Sequence, residues 1–159
     1  MSFTYATLKT AIQNYCETSE TTFNSNLSVF IKEAEERILK SVEIPDFRKN
    51  VTGSATSGTT YLSMPSGPTP DADYSFELHY KYRPASLTAG ADGGTTWLST
   101  NAPNALLYGS LVEASTFIKT TEETPYYDQR FQESIAELKK LGEGYGIRDE
   151  HRYDISRMG

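Results

Sequence analysis

Two clusters of carboxylates are the first residues in this chain that could do chemistry: Glu33, Glu35 and Glu36, and further on Glu122 and Glu123. Paired carboxylates serve as general acid and base when their surroundings drive the two pKa values apart. Here they stand among Lys32, Arg37 and Lys40 or in a polar run, so they read as solvated surface charge. The two histidines, His79 and His151, are far apart, and neither has a second ligand at helical or turn spacing. Zinc-ligand spacing is missing. Cys16 is the single cysteine and reads as a small packing residue, because no neighbouring base would draw off its proton. Phosphate-cradling and nucleophile-elbow signatures are also missing, and Gly142-Glu143-Gly144-Tyr145-Gly146 follows a helical pattern where a phosphate loop would open one. The sequence therefore reads as a protein without catalytic residues, metal or cofactor.

The remaining chemistry is that of docking. Beyond Gly142 the chain spaces Tyr145, Ile147, Tyr153 and Ile155 among the charges Arg148, Arg152 and Arg157. Such a segment is too polar to fold on itself, yet it carries large anchors, so a bound partner would have to order it. Tyrosine is over-represented, with 11 copies against 7 phenylalanines and one tryptophan. Tyr buries a ring while keeping a polar tip, which suits surfaces that are wet until they meet a partner. The net charge of -6 argues against a grip on nucleic-acid backbone, although an acidic surface can let DNA slide past.

The elements that would position these groups follow from periodicity. A first helix is expected over Tyr5–Cys16, capped by Thr4, with a polar loop from Glu17 to Asn24. The next runs from Leu27 to Val42, with Leu27, Ile31, Ala34, Ile38 and Val42 on one stripe and Asn24 or Asn26 as its cap. Its other face carries Lys32, Glu33, Glu36, Arg37 and Lys40, where Glu33–Arg37 and Glu36–Lys40 have the favourable order for helical ion pairs. After Pro45 the pattern becomes that of strands, over Phe47–Thr52, Thr59–Met64 and Tyr74–Arg83. Tyr74, Phe76, Leu78, Tyr80 and Tyr82 alternate with Ser75, Glu77, His79, Lys81 and Arg83, which predicts a half-buried antiparallel strand. A loop with Trp97 and Leu98 folded back on the core leads to a helix after Asn101 and Pro103. There Ala105, Gly109 and Ala114 would admit a close neighbour, making this the most buried helix. The last helix starts at Thr124–Pro125, uses Tyr127, Phe131, Ile135, Leu138 and Leu141, and stops at Gly142.

The fold class read from this pattern is α+β: a four-helix bundle (1–45 and 101–143), an inserted small antiparallel β-domain (46–100) and an extended carboxy-terminal arm (144–159). The first residues do not read as a signal peptide, and no run has the length of a membrane span, so the chain is expected to be made in the cytoplasm and to avoid membranes.

Several stretches taken in order resemble a known family: Phe30 to Ile38, Ile44 to Arg48, Gly67 to Ala72 leading into Glu77-Leu78-His79-Tyr80, Tyr82-Arg83-Pro84, and Trp97-Leu98 followed by Ala105 to Tyr108. Together they look like the head-to-tail adaptor (neck or connector) proteins of tailed bacteriophages, of the SU10 type. One departure is that the Tyr61–Pro65 strand and the Gly67–Pro70 segment nearly join at Ser66-Gly67, leaving either a reduced β-domain or a chain shortened at that point. The resemblance implies a virion protein of the neck, a ring of twelve copies below the portal with DNA passing through without specific binding. It also implies an arm that reaches the portal protein and a far side that receives tail, nozzle or stopper proteins.

On that reading the portal-binding arm holds Tyr145, Ile147, Arg148, Arg152, Tyr153, Ile155 and Arg157. Contacts between neighbouring copies would use Lys32, Glu33, Glu36, Arg37 and Lys40, with His79, Lys81 and Arg83 on the strand. Acidic groups near Glu35, Glu36, Glu122 or Glu123 would line the channel. The other readings are a tail-completion or stopper protein of the same neck and, from a different class, a small glycan- or receptor-binding β-module.

Overall fold

The computed structural model describes residues 2–55, 72–120 and 122–153, with side chains for all of these except 45, 55 and 142–153. The expected strand Thr59–Met64 and the prolines Pro65, Pro68 and Pro70 lie outside the described residues. The fold is α+β. It divides into a helical unit, built from the chain up to Ile44 and from Pro84 onward, and a β unit over Pro45–Arg83. The sequence pattern carried the β-domain on to residue 100, whereas the chain returns to the helical unit at Pro84.

The helical unit contains α1 (Tyr5–Tyr15), α2 (Thr21–Ser41), a short α3 (Trp97–Asn101), α4 (Pro103–Ile118) and α5 (Thr124–Tyr153). Helix α4 is the centre, touching α1, α2, α3 and α5. Its buried residues run nearly all round, from Ala105, Leu106 and Leu107 to Leu111, Val112 and Ala114, as its apolar arc predicted. A Cβ on Gly109 would stand 3.0 Å from the Ala34 methyl of α2 and 3.0 Å from the Phe131 ring of α5, so this glycine lets three helices meet at close range. The buried Ser110 and Ser115 hydroxyls donate to Leu106 O (2.8 Å) and Val112 O (3.0 Å), which leaves no polar cost in the centre.

Helix α1 begins where expected, at a capping box in which the Thr4 and Thr7 side chains each accept from the other's backbone N–H. Two of its first N–H groups are satisfied by the loop before α3: Tyr5 donates to Gly94 O (3.2 Å) and Ala6 to Asp92 O (2.9 Å), while Lys9 pairs with Asp92 at 2.8 Å. That exchange explains why residues after Pro84 belong with the helices. Leu98 is buried as predicted, although Trp97 and Leu98 lie in a helical turn instead of a loop.

Helix α2 starts at Thr21, before the expected loop has ended. Phe23 extends the stripe one turn back from Leu27 and is buried against Phe30 (5.6 Å) and Phe117 (6.3 Å), so tertiary packing overrides the capping preference of Asn24 and Asn26. Those two amides serve the turn instead, donating to Ser19 O and Thr22 O. At the other end of the fold, α5 continues through Gly142 to Tyr153. The expected stop at Gly142 and the extended arm from 144 are corrected over this range, where the backbone is helical. A glycine costs a helix only about 1 kcal/mol, and no proline follows to break it.

Glu35 departs from the solvated face expected of its cluster: it is buried, and its carboxylate accepts from the Leu87 N–H at 2.9 Å. Leu87 opens a 3-10 turn (Leu87–Ala89) and is itself buried, so Glu35 secures the chain where it re-enters the helical unit.

The β unit is an antiparallel hairpin of β1 (Arg48–Ala55) and β2 (Tyr74–Lys81), in the register Arg48↔Lys81 to Ala55↔Tyr74. Phe47 is buried beside Tyr82 (5.7 Å), and Tyr82 N–H donates to Phe47 O, closing the base. The alternation of β2 is as predicted, but its expected half-burial is not found: all eight of its residues are exposed. Alternation records that one face is apolar, not that the same chain covers it.

Two stability outcomes follow. Glu35→Ala strands the Leu87 N–H and should cost about 2–3 kcal/mol in urea unfolding, while Glu35→Gln, which keeps an acceptor, should cost clearly less. Gly109→Leu should destabilise by about 3 kcal/mol, read as a fall in the urea midpoint, because the added side chain must displace the Ala34 methyl and the Phe131 ring.

Candidate interaction surfaces

On α2, Lys32 and Glu33 are exposed, Glu36 and Arg37 are half-buried, and Lys40 reaches Glu36 at 3.8 Å as the spacing predicted. Arg37 turns away from Glu33. Its guanidinium meets Glu113 of α4 at 2.7 Å and Asp128 of α5 at 3.7 Å, and lies 5.1 Å above the Phe131 ring. Arginine suits this position, since one planar group can bridge two carboxylates and stack on an aromatic face. Nothing in the local spacing of α2 could have shown it, because all three partners lie on other helices.

The strand residues of the expected subunit contact, His79, Lys81 and Arg83, are exposed in the β unit. His79 Nδ1 lies 2.7 Å from Oδ1 of Asn50, its register partner, and its Nε2 lies 3.8 Å from Glu77. Arg48 faces Lys81 across the hairpin, and Lys49 Nζ stands 4.1 Å over the Tyr82 ring. The base of the hairpin is therefore cationic and aromatic, while Tyr74, Phe76, Leu78 and Val51 form an open apolar strip on one face. Among the arm residues, Tyr145, Ile147, Arg148, Arg152 and Tyr153 fall on the helical backbone of α5, and Ile155 and Arg157 lie outside the described residues.

A surface the sequence did not single out forms where α1 ends and α5 begins. Tyr15 and Tyr126 flank the buried Tyr127 at centroid distances of 6.5 and 5.8 Å, and Arg130 lies 5.5 Å from the Tyr126 ring. The surplus of tyrosine was its only signal. The Tyr127 hydroxyl donates to Glu123 at 3.1 Å; burial, then this bond to an anion, pushes the phenol up to about 12. Cys16 lies in the same corner, and burial, with Glu123 adding to it, raises its thiol to about 11. Partly buried and with its proton held, Cys16 fits the packing role expected from its sequence context. Among the described residues no cluster of three or more His, Cys, Asp or Glu could hold a metal, and no helix is long and apolar enough to cross a membrane.

At pH 8 Cys16 should alkylate far more slowly than a free thiol, with a rate that keeps rising beyond pH 9. Glu123→Gln should shift that profile to lower pH without bringing it to the free-thiol value, because burial, the larger cause, remains. Iodoacetamide labelling followed by mass spectrometry across pH 7–11 reads both.

An exposed apolar hairpin face, an aromatic corner and a long last helix are thus the surface features of the described residues. No curated protein matches the chain. The family model described as SU10 adaptor protein matches residues 66–153, more than half of the chain, and its match ends at the last residue of α5. The chain belongs to the SU10 adaptor protein family, and its role is that of an adaptor in the bacteriophage neck.

Proposed function

We propose that this adaptor assembles as a ring of twelve copies below the portal, joins capsid to tail, and lets DNA pass through its centre without specific binding. The observation that carries this reading is the SU10 adaptor match over residues 66–153. Physical features agree with it. A ring requires heterologous contacts, with one surface of each copy meeting a different surface of the next, and the open hairpin face and the aromatic corner are two such dissimilar surfaces. The net charge of -6 disfavours adhesion of the DNA backbone as it slides. Lys32, Glu33, Glu36 and Lys40 remain on the outer side of α2 for contacts between copies, whereas Arg37 also braces its own fold.

The portal-binding segment is the far part of α5 and the residues beyond it, including Tyr145, Ile147, Arg148, Arg152, Tyr153, Ile155 and Arg157. A helix of 30 residues spans about 45 Å, long enough to carry such anchors well away from the core helices. Stopper, nozzle or tail proteins then bind the side of the ring away from the portal. Localisation to the virion neck follows.

Negative-stain imaging of the purified chain mixed with portal should show rings attached to the portal. A chain shortened after Leu141 should lose only the helical signal of the removed end of α5 and keep a cooperative melt, because the Phe131–Leu138 packing is intact, and should lose portal association. A full-length chain that remains monomeric and indifferent to portal would end this reading.

A further inference from the structure

The turn that receives the first N–H groups of α1 carries a peptide bond suited to self-modification. Asp92-Gly93 is the single place in the sequence where Asp or Asn precedes Gly. The two residues form the centre of a turn closed by the Gly94 N–H, which donates to Ala91 O at 2.8 Å. Both are exposed, and 71% of the Asp92 side chain is accessible. A Cβ built on Gly93 would have no atom within 4 Å, so the space beside this peptide is open. The Gly93 N–H donates to no group among the described residues. By contrast Asn24-Ser25, another pair with a small second residue, lies inside α2, where helical bonds hold the backbone.

This geometry fits a reaction that needs no other reactant than water. The Gly93 nitrogen attacks the carboxyl carbon of Asp92. A C–N bond forms, and the carboxyl hydroxyl leaves as water with the amide proton. Water then adds to one of the two carbonyls of the five-membered imide and breaks its bond to nitrogen. Opening at the side-chain carbonyl restores aspartate. Opening at the main-chain carbonyl leaves isoaspartate, in which the chain runs through the former side chain. No atom is gained or lost overall.

The surroundings make both the reaction and its result a matter of α1. Lys9 Nζ holds Asp92 Oδ1 at 2.8 Å, the Ala6 N–H donates to Asp92 O at 2.9 Å, and the Tyr5 N–H donates to Gly94 O at 3.2 Å. While the ion pair lasts, the carboxyl group is engaged by α1 and is not free to turn onto Gly93. In the product the oxygen that faced Lys9 belongs to a neutral amide, and the charge sits on the former main-chain carbonyl. The main chain between Ala91 and Gly94 is also one carbon longer. We propose that Asp92 is a site of spontaneous isomerisation to isoaspartate, that its ion pair with Lys9 restrains the reaction, and that the modification frees the start of α1.

Ageing the full-length chain at body temperature and mildly acidic pH tests all three statements. Isoaspartate leaves the mass unchanged, so it is read by methylation with an isoaspartate methyltransferase and by loss of Asp-N cleavage at position 92. Asp92 should convert about tenfold faster than Asn24 or any other Asp or Asn of the described residues. Gly93→Ala should slow conversion about tenfold, because a methyl group crowds the attacking nitrogen; the fold should be unaffected, since the space is open and the backbone there lies outside the left-handed region. Lys9→Met keeps the aliphatic stem, removes the charge, and should speed conversion about threefold or more. In the converted chain, hydrogen exchange followed by mass spectrometry should show the peptide from Phe3 to Ile12 losing protection while that of α4 keeps it.

An Asp92 that stays intact while a free peptide spanning Thr88 to Thr96 converts under the same conditions would overturn the site. Equal rates in Lys9→Met and the wild type would overturn the restraint. Unchanged exchange at the start of α1 in the converted chain would overturn its release.

Discussion

At Gly109 a hydrogen replaces a side chain, and the close approach made there is the constraint on which the helical unit depends. Helix α4 lies against the Ala34 methyl of α2 and the Phe131 ring of α5, and a Cβ there would stand 3.0 Å from each, tighter than ordinary packing. The Arg37 guanidinium rests on the same Phe131 and pairs with Glu113 and Asp128, so α2, α4 and α5 are joined a second time at their rim. The rim pairs are partly exposed and contribute modestly by comparison with the packing they border. Close packing at one glycine therefore sets the spacing within which every other side chain of the unit finds its place.

Chain connectivity is held by backbone hydrogen bonds to unusual partners. The first N–H groups of α1 are satisfied by carbonyls of Asp92 and Gly94, and the buried Glu35 carboxylate takes the N–H of Leu87. These three bonds tie the segment after Pro84 to helices formed early in the sequence. An excursion from Pro45 to Arg83 can then differ in character from the rest without loosening the helices.

The division of charge is unequal. In the β unit cations gather at the hairpin base, while the loops at one end of the helical unit are acidic. Aromatic residues accompany both, and their amphipathic character allows a surface to be soluble before assembly and dry afterwards. Three of the clustered carboxylates have partners in the fold: Glu35 secures a turn, Glu36 pairs with Lys40, and Glu123 accepts from Tyr127.

Periodicity alone determined the helices, the alternation of β2 and the burial of α4, because the spacing of apolar residues is local information. The ordered stretches that resemble the SU10 adaptors were equally legible, and the family match over residues 66–153 covers those from Gly67 onward. Tertiary structure decided what depends on partners distant in sequence. It started α2 at Thr21, since Phe23 is held by Phe117, and it buried Glu35 beneath Leu87. It turned Arg37 toward α4 and α5 and carried α5 through Gly142, where local preference predicted a stop. The Glu33–Glu36 carboxylates show the physical reason: solvation and charge pairing belong to the environment of a side chain, and only the folded chain supplies that environment.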